Sequence, residues 1–141
     1  MSNSIKEMNG VTASIQKKMM TCGIRTTDAL LKKGCTKKGR KEIAKACGVD
    51  EKKVLTWVNM ADLCRVQGVA FQWAALMEAA GVDTVKELKT RKPENLHQKM
   101  VEVVTAKNKR SKKSVRTAPG LTRVKNFVKS AKKLKPMVTN K

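Results

Sequence analysis

The sequence predicts an all-α protein made of two similar helical hairpin units over a shared core, followed by a basic linker and a C-terminal amphipathic helix. Three observations predict this. Residues 10–30 (GVTASIQKKMMTCGIRTTDAL) and 68–88 (GVAFQWAALMEAAGVDTVKEL) are similar at a constant offset of 58, without a gap. Gly10, Val11, Met19, Gly23, Thr26 and Leu30 recur as Gly68, Val69, Met77, Gly81, Thr84 and Leu88, and such self-similarity marks one supersecondary unit used twice. Hydrophobic residues make up 40%, but with two Trp, two Phe and no Tyr a core has to be built from Val, Leu, Ile, Met and Ala, which suits helix on helix better than sheet on sheet. Finally, apolar residues recur at steps of three and four between Gly and Thr or Asp punctuation, the pattern of short capped helices.

In chain order, Ile5 and Met8 can close a short first helix over residues 4–9, which Gly10 breaks. Thr12 or Ser14 caps the next helix, whose stripe is Ala13, Ile15, Met19, Met20 and Cys22 and whose stop is Gly23, with Ile24 stapling the turn. Thr26 or Thr27 opens a brief helix holding Ala29, Leu30 and Leu31 and ending at Gly34; Ile43, Ala44 and Cys47 mark another, closed by Gly48. Asp50 caps the longest helix, expected from about 51 to 66, which connects the two units through Val54, Leu55, Trp57, Val58, Ala61, Leu63 and Val66. The unit then repeats. Phe71, Trp73, Ala74, Leu76 and Met77 form the stripe, Gly81 the stop, Val82 the staple and Asp83 the cap of a short helix with Val85 and Leu88. Pro93 suits a first helical turn, ahead of Leu96, Met100, Val101 and Val104. Residues 106–117 (AKNKRSKKSVRT) lack apolar periodicity and read as a solvated linker. Past Pro119 and Gly120, Leu121, Val124, Val128, Ala131 and Leu134 define the last helix; Leu121, Arg123 and Val124 match Leu63, Arg65 and Val66 at the same offset, as the start of a partial third copy docked on the second. The expected organisation is a first unit with its connector over 1–59, a second unit over 60–106 and a basic extension over 107–141.

Charge points to a partner. Lys and Arg total 32 against 11 Asp and Glu, a net charge of +21, and a chain this basic is hard to rationalise without a polyanion. The excess is uneven: +8 over residues 1–59, zero over 60–106 and +13, with no acidic residue, over 107–141. Cys22, Cys35, Cys47 and Cys64 show no C-x-x-C spacing and His97 is the only histidine, so buried thiols are expected rather than a metal site. That suits a reducing intracellular compartment: the cytoplasm, an organelle matrix or the nucleus. No apolar run approaches the roughly 20 residues of a membrane span, and MSNSIKEMNG reads as neither signal nor transit peptide.

The stretches GRKEIA, WVNMADLCRVQGV and AGVDTVKELKTRKPENLHQKMVE, with LTRVKNFVKSAKKL more loosely, resemble the domain-of-unknown-function family 4332 over residues 5 to 134. The resemblance implies an all-helical fold of tandem helix-hairpin-helix-like units and no established activity. Units of the helix-hairpin-helix kind bind nucleic acid without sequence preference, through a Gly-hydrophobic-Gly turn that aims helix-start amides at a phosphate. The matching positions here are Gly10, Val11 and Thr12 in the first unit and Gly68, Val69 and Ala70 in the second. Thr12 and Ala70 stand where the second glycine belongs, and a side chain there hinders phosphate approach, so these turns read first as packing devices.

An enzyme needs a site, and the sequence offers no phosphate loop of the Walker type, no metal cluster and no plausible carboxylate pair. His97 reads as a surface or packing residue, and Trp73, standing for Ile15 of the first unit, as core rather than as a stacking platform. Catalysis is not expected, nor a cofactor or small-molecule substrate, nor a membrane partner. The expected ligand is a phosphate backbone. Lys37, Lys38, Arg40 and Lys41 could meet it at one helix start, Lys107, Lys109, Arg110, Lys112, Lys113 and Arg116 in the linker, and Lys125, Lys129, Lys132, Lys133 and Lys135 along the last helix. Lysine outnumbering arginine favours point-charge contacts over base reading. A compact domain with a Lys-rich extension favours a structural RNA-binding protein, such as an accessory or divergent ribosomal protein contacting rRNA beside neighbouring proteins. A nucleoid- or chromatin-type DNA-binding protein is the alternative, and a protein-interaction scaffold a weaker one.

Overall fold

The computed structural model describes residue 5 and residues 11–69, 71–110 and 119–138, with the backbone alone for residue 72 and residues 107–110. Every regular element among the described residues is a helix: α1 (Ala13–Thr21), α2 (Thr27–Gly34), α3 (Lys37–Cys47), α4 (Glu51–Leu63), α5 (Phe71–Ala79), α6 (Val85–Leu88), α7 (Pro93–Arg110) and α8 (Leu121–Ala131). The protein is all-α. Of the expected helix at 4–9 only Ile5 is described; it is buried, and its N–H donates to the Arg25 carbonyl at 3.3 Å.

Both α1 and α5 begin and end 58 residues apart, and they stop in the same way. Ile24 N–H donates to the Met19 carbonyl (2.9 Å) and Gly23 N–H to Met20 (3.0 Å), while Val82 N–H donates to Met77 (2.8 Å) and Gly81 N–H to Glu78 (3.0 Å). These paired bonds satisfy carbonyls that the helix end would orphan, and they need a residue in the left-handed region. Gly23 at φ 82 and Gly81 at φ 94 supply it. Ile24 and Val82 then turn into the core, and Thr26 and Thr84 cap α2 and α6 by accepting the Ala29 and Glu87 amides at 3.3 Å.

The boundaries differ from expectation in three places. Thr84, not Asp83, caps α6, because Thr84 is the extended residue (φ −134) directly before the first turn. Instead of reaching 66, α4 stops at Leu63, where the Arg65 and Val66 amides reach back only three residues, to Asp62 and Leu63, at 3.1 Å. The far end of α7 runs on through Arg110 into the expected linker; Ala, Lys and Arg extend an already nucleated helix at little cost. The rest of that linker, 111–118, lies outside the described residues.

Packing follows a common plan in the two halves. Helix α1 lies on α3 and α5 on α7; α4 packs against α2 and α3, and α8 against α6 and α7, while α4 also touches α5. The buried residues of α8, Val124, Phe127, Val128 and Ala131, have the spacing of Val54, Trp57, Val58 and Ala61 in α4, an offset of 70. This corrects the register read at offset 58: the twelve extra residues are taken up by the longer α7 and the segment after it. A single cluster of buried apolar side chains runs from Ile5 to Ala131. One ion pair stitches the halves. Asp62, 1% exposed, accepts from Arg65 (Nη1–Oδ1, 2.7 Å) and from the Val85 amide at the head of α6 (2.8 Å), while Arg65 Nη2 donates to the Lys135 carbonyl beyond α8 (2.8 Å).

Candidate nucleic-acid interface

The apolar stripe of α8 fixes which of its residues face solvent. With Val124, Phe127, Val128 and Ala131 buried, Arg123, Lys125 and Lys129 are exposed on α8, as are Lys132, Lys133 and Lys135 just beyond it. No acidic residue lies within 107–141, so none interrupts this face from within its own segment. Two of the expected contact residues, Lys125 and Lys129, therefore stand on α8 itself, and two more, Lys132 and Lys133, on the turn that ends it.

The turn that precedes α5 meets this helix. Gly68 is exposed and left-handed (φ 87), and a Cβ built on it would lie 3.5 Å from a ring carbon of Phe127. Val69 beside it is buried. Between the turn and α8 lies an open groove of about 550 Å³. Gln67 and Gly68 line it from the turn, and Arg123, Asn126, Phe127, Lys129, Ser130 and Lys133 from α8 and the residues that follow it. Trp73 of α5 is half-buried rather than core, and the Arg123 guanidinium sits 5.8 Å from its ring centroid, close enough for a cation–π contact. Two features read separately in the sequence, the second glycine turn and the last helix, are thus one surface.

The other expected site residues fall elsewhere. Lys37, Lys38 and Lys41 are exposed at the start of α3. Of these, Lys37 borders a smaller depression between α3 and α4, lined also by Arg40, Glu51, Lys52 and Leu55, where Glu51 offsets the cations. Arg40 is a correction: it is 5% exposed, and its Nη1 donates to the Gly34 carbonyl at 2.9 Å, so it serves the α2–α3 corner instead of a solvent-borne phosphate. In the first turn, Val11 is half-buried and Thr12 is the N-cap of α1, its hydroxyl accepting the Ile15 amide at 3.2 Å. That amide is one that a helix start would otherwise offer an anion. Gly10, Ala70, Lys112, Lys113 and Arg116 lie outside the described residues, as do the side chains of Lys107, Lys109 and Arg110, whose backbone forms the last turn of α7.

Sequence reasoning missed Arg123, Gln67 and Asn126. The signal for two of them was available: Arg123, Asn126, Ser130 and Lys133 recur at three, four and three residues, one face of a helix. Gln67 had no such signal, because its place depends on how the turn docks on α8.

Cys47 and Cys64 are buried, and Cys22 and Cys35 half-buried. Burial, with Cys22 beside it, pushes the Cys47 thiol up, against a smaller opposing pull from Lys18. No group of His, Cys, Asp and Glu among the described residues is arranged to hold a metal ion, and no described helix is long and apolar enough to cross a membrane.

The family described as "Domain of unknown function (DUF4332)" matches residues 9–134, nine-tenths of the chain, and the protein belongs to that family. No curated protein and no solved structure matches it.

Proposed function

We propose that this member of the DUF4332 family is a non-catalytic structural protein that binds the phosphate backbone of nucleic acid, RNA in preference to DNA, within a ribonucleoprotein complex that includes neighbouring proteins. The observation that carries this reading is the acid-free cationic face of α8, held on the core by four buried apolar side chains. A charged helix displayed in fixed geometry offers phosphates an array whose ordering cost has already been met in folding, whereas a free tail would lose that entropy on binding. The two units act as its platform, resembling helix-hairpin-helix modules in sequence while using α8 rather than the glycine turns alone. Buried thiols and a nucleic-acid partner suit a reducing intracellular compartment.

Sucrose-gradient sedimentation of the tagged protein from native lysate tests the reading. Co-migration with ribosomal subunits that survives DNase and collapses with RNase is expected. Release by DNase alone would transfer the role to DNA, and sedimentation as a free small protein under every treatment would remove the polyanion partner altogether.

A further inference from the structure

Most of the basic surface is indifferent to the kind of nucleic acid it meets. Lys37, Lys38, Lys41, Lys125, Lys132 and Lys135 carry donors only, and a phosphate oxygen is the same acceptor in RNA and DNA. The groove between the Gly68 turn and α8 differs in composition. There, three cations, Arg123, Lys129 and Lys133, alternate with three neutral polar side chains, Gln67, Asn126 and Ser130. An amide or a hydroxyl both donates and accepts. The group in nucleic acid that also does both, and that DNA lacks, is the ribose 2′-hydroxyl.

We propose that this groove seats a ribose-phosphate segment of an RNA strand, with Arg123, Lys129 and Lys133 meeting the phosphate and Gln67 and Asn126 meeting the 2′-hydroxyl, and so is where the protein tells RNA from DNA. The proposal rests on the nucleic-acid reading above and adds to it the sugar and the residues that read it. Geometry supports the division of labour. Arg123, which lines the groove, has its guanidinium 5.8 Å from the Trp73 ring centroid, within cation–π range. Gln67, from the turn, and Asn126, from α8, line the same groove. Trp73 is a positioning residue, acting through Arg123.

The test is fluorescence anisotropy with a labelled RNA hairpin carrying a single-stranded flank, and with DNA of the same sequence, at one fixed salt concentration. Wild type is expected to prefer RNA. The double variant Gln67→Ala/Asn126→Ala is expected to lose about tenfold in RNA affinity, the worth of two hydrogen bonds, with DNA affinity unchanged, so that the preference disappears. Both side chains are exposed, so the fold is expected to survive; a thermal melt confirms that. Lys125→Ala/Lys132→Ala, outside the groove, is expected to weaken RNA and DNA equally. Equal loss for both ligands in the groove variant, no loss for either, or a wild type that prefers DNA would each overturn the proposal. Wild type binding neither ligand would instead overturn the nucleic-acid reading beneath it.

Discussion

Gly39 and Arg40 show how one residue's task can be misjudged by its charge. A Cβ on Gly39 would fall 1.8 Å from the Lys33 carbonyl oxygen, so only glycine lets the first turn of α3 press against the end of α2. Arg40 then closes the corner through Gly34. Arg40→Ala is expected to cost about 2 kcal/mol, since it removes a charge-assisted bond to a buried carbonyl, and to leave the nucleic-acid affinity of the folded protein unchanged. Urea denaturation beside a binding titration checks both halves, and lost affinity with intact stability would return Arg40 to the interface. Glu78 raises a separate question, that of pH. Burial, and secondarily Asp83, pushes its carboxyl above the usual range, so the native state disfavours the ionised form. A folded pKa above the unfolded one contributes stability below the unfolded value and loses it as pH rises through the folded value. Glu78→Gln is therefore expected to raise the melting temperature at neutral pH and to leave it unchanged near pH 3, read by calorimetry at the two conditions.

The helices that locate the groove were legible in the sequence to different degrees. The stops at Gly23 and Gly81 and the cap at Thr26 follow from backbone rules that act within five residues, so the pattern reveals them directly, whereas at α6 two adjacent capping types, Asp83 and Thr84, hid which one caps. The order of packing was harder. The register of α8 on the second unit depends on Phe127 standing where Trp57 stands in the first, and an insertion ahead of α8 hides that match from any gapless comparison. The groove was least legible, because its walls come from segments more than fifty residues apart. What holds these segments in place is the Asp62–Arg65 pair, which reaches both α6 and the chain beyond α8. Asp62→Ala strands a guanidinium and the Val85 amide in a largely dry place, and breaking such a pair from one side costs about 3 kcal/mol. Asp62→Asn keeps an acceptor and is expected to cost less. Equilibrium unfolding of the two variants checks the order, and equal stability of Asp62→Ala and wild type would mean that this pair does not stitch the halves.

For the molecule as a whole, a net charge of +21 sets folding and binding against each other through salt. Folding gathers like charges that the extended chain keeps apart, above all along α8, so the compact state carries a repulsion that counter-ions relieve. Screening lengths shrink from about 30 Å at 0.01 M to about 8 Å at 0.15 M, a range that covers the spacing of cations along one helix. The melting temperature of the protein alone is therefore expected to rise with added sodium chloride. Binding runs the other way. Each neutralised phosphate releases condensed counter-ions, and about six contacts give a slope of log affinity against log salt of roughly −4 to −5. The two trends must cross in one experiment: a thermal melt with and without RNA across a salt series. At low salt, RNA replaces the missing counter-ions and raises the melting temperature; at high salt its contribution fades while that of salt persists. A slope near zero for binding would show that the lysines of α8 do not meet phosphate. A melting temperature indifferent to salt alone would show that they are already neutralised within the fold, which the absence of any acidic residue from 107–141 argues against.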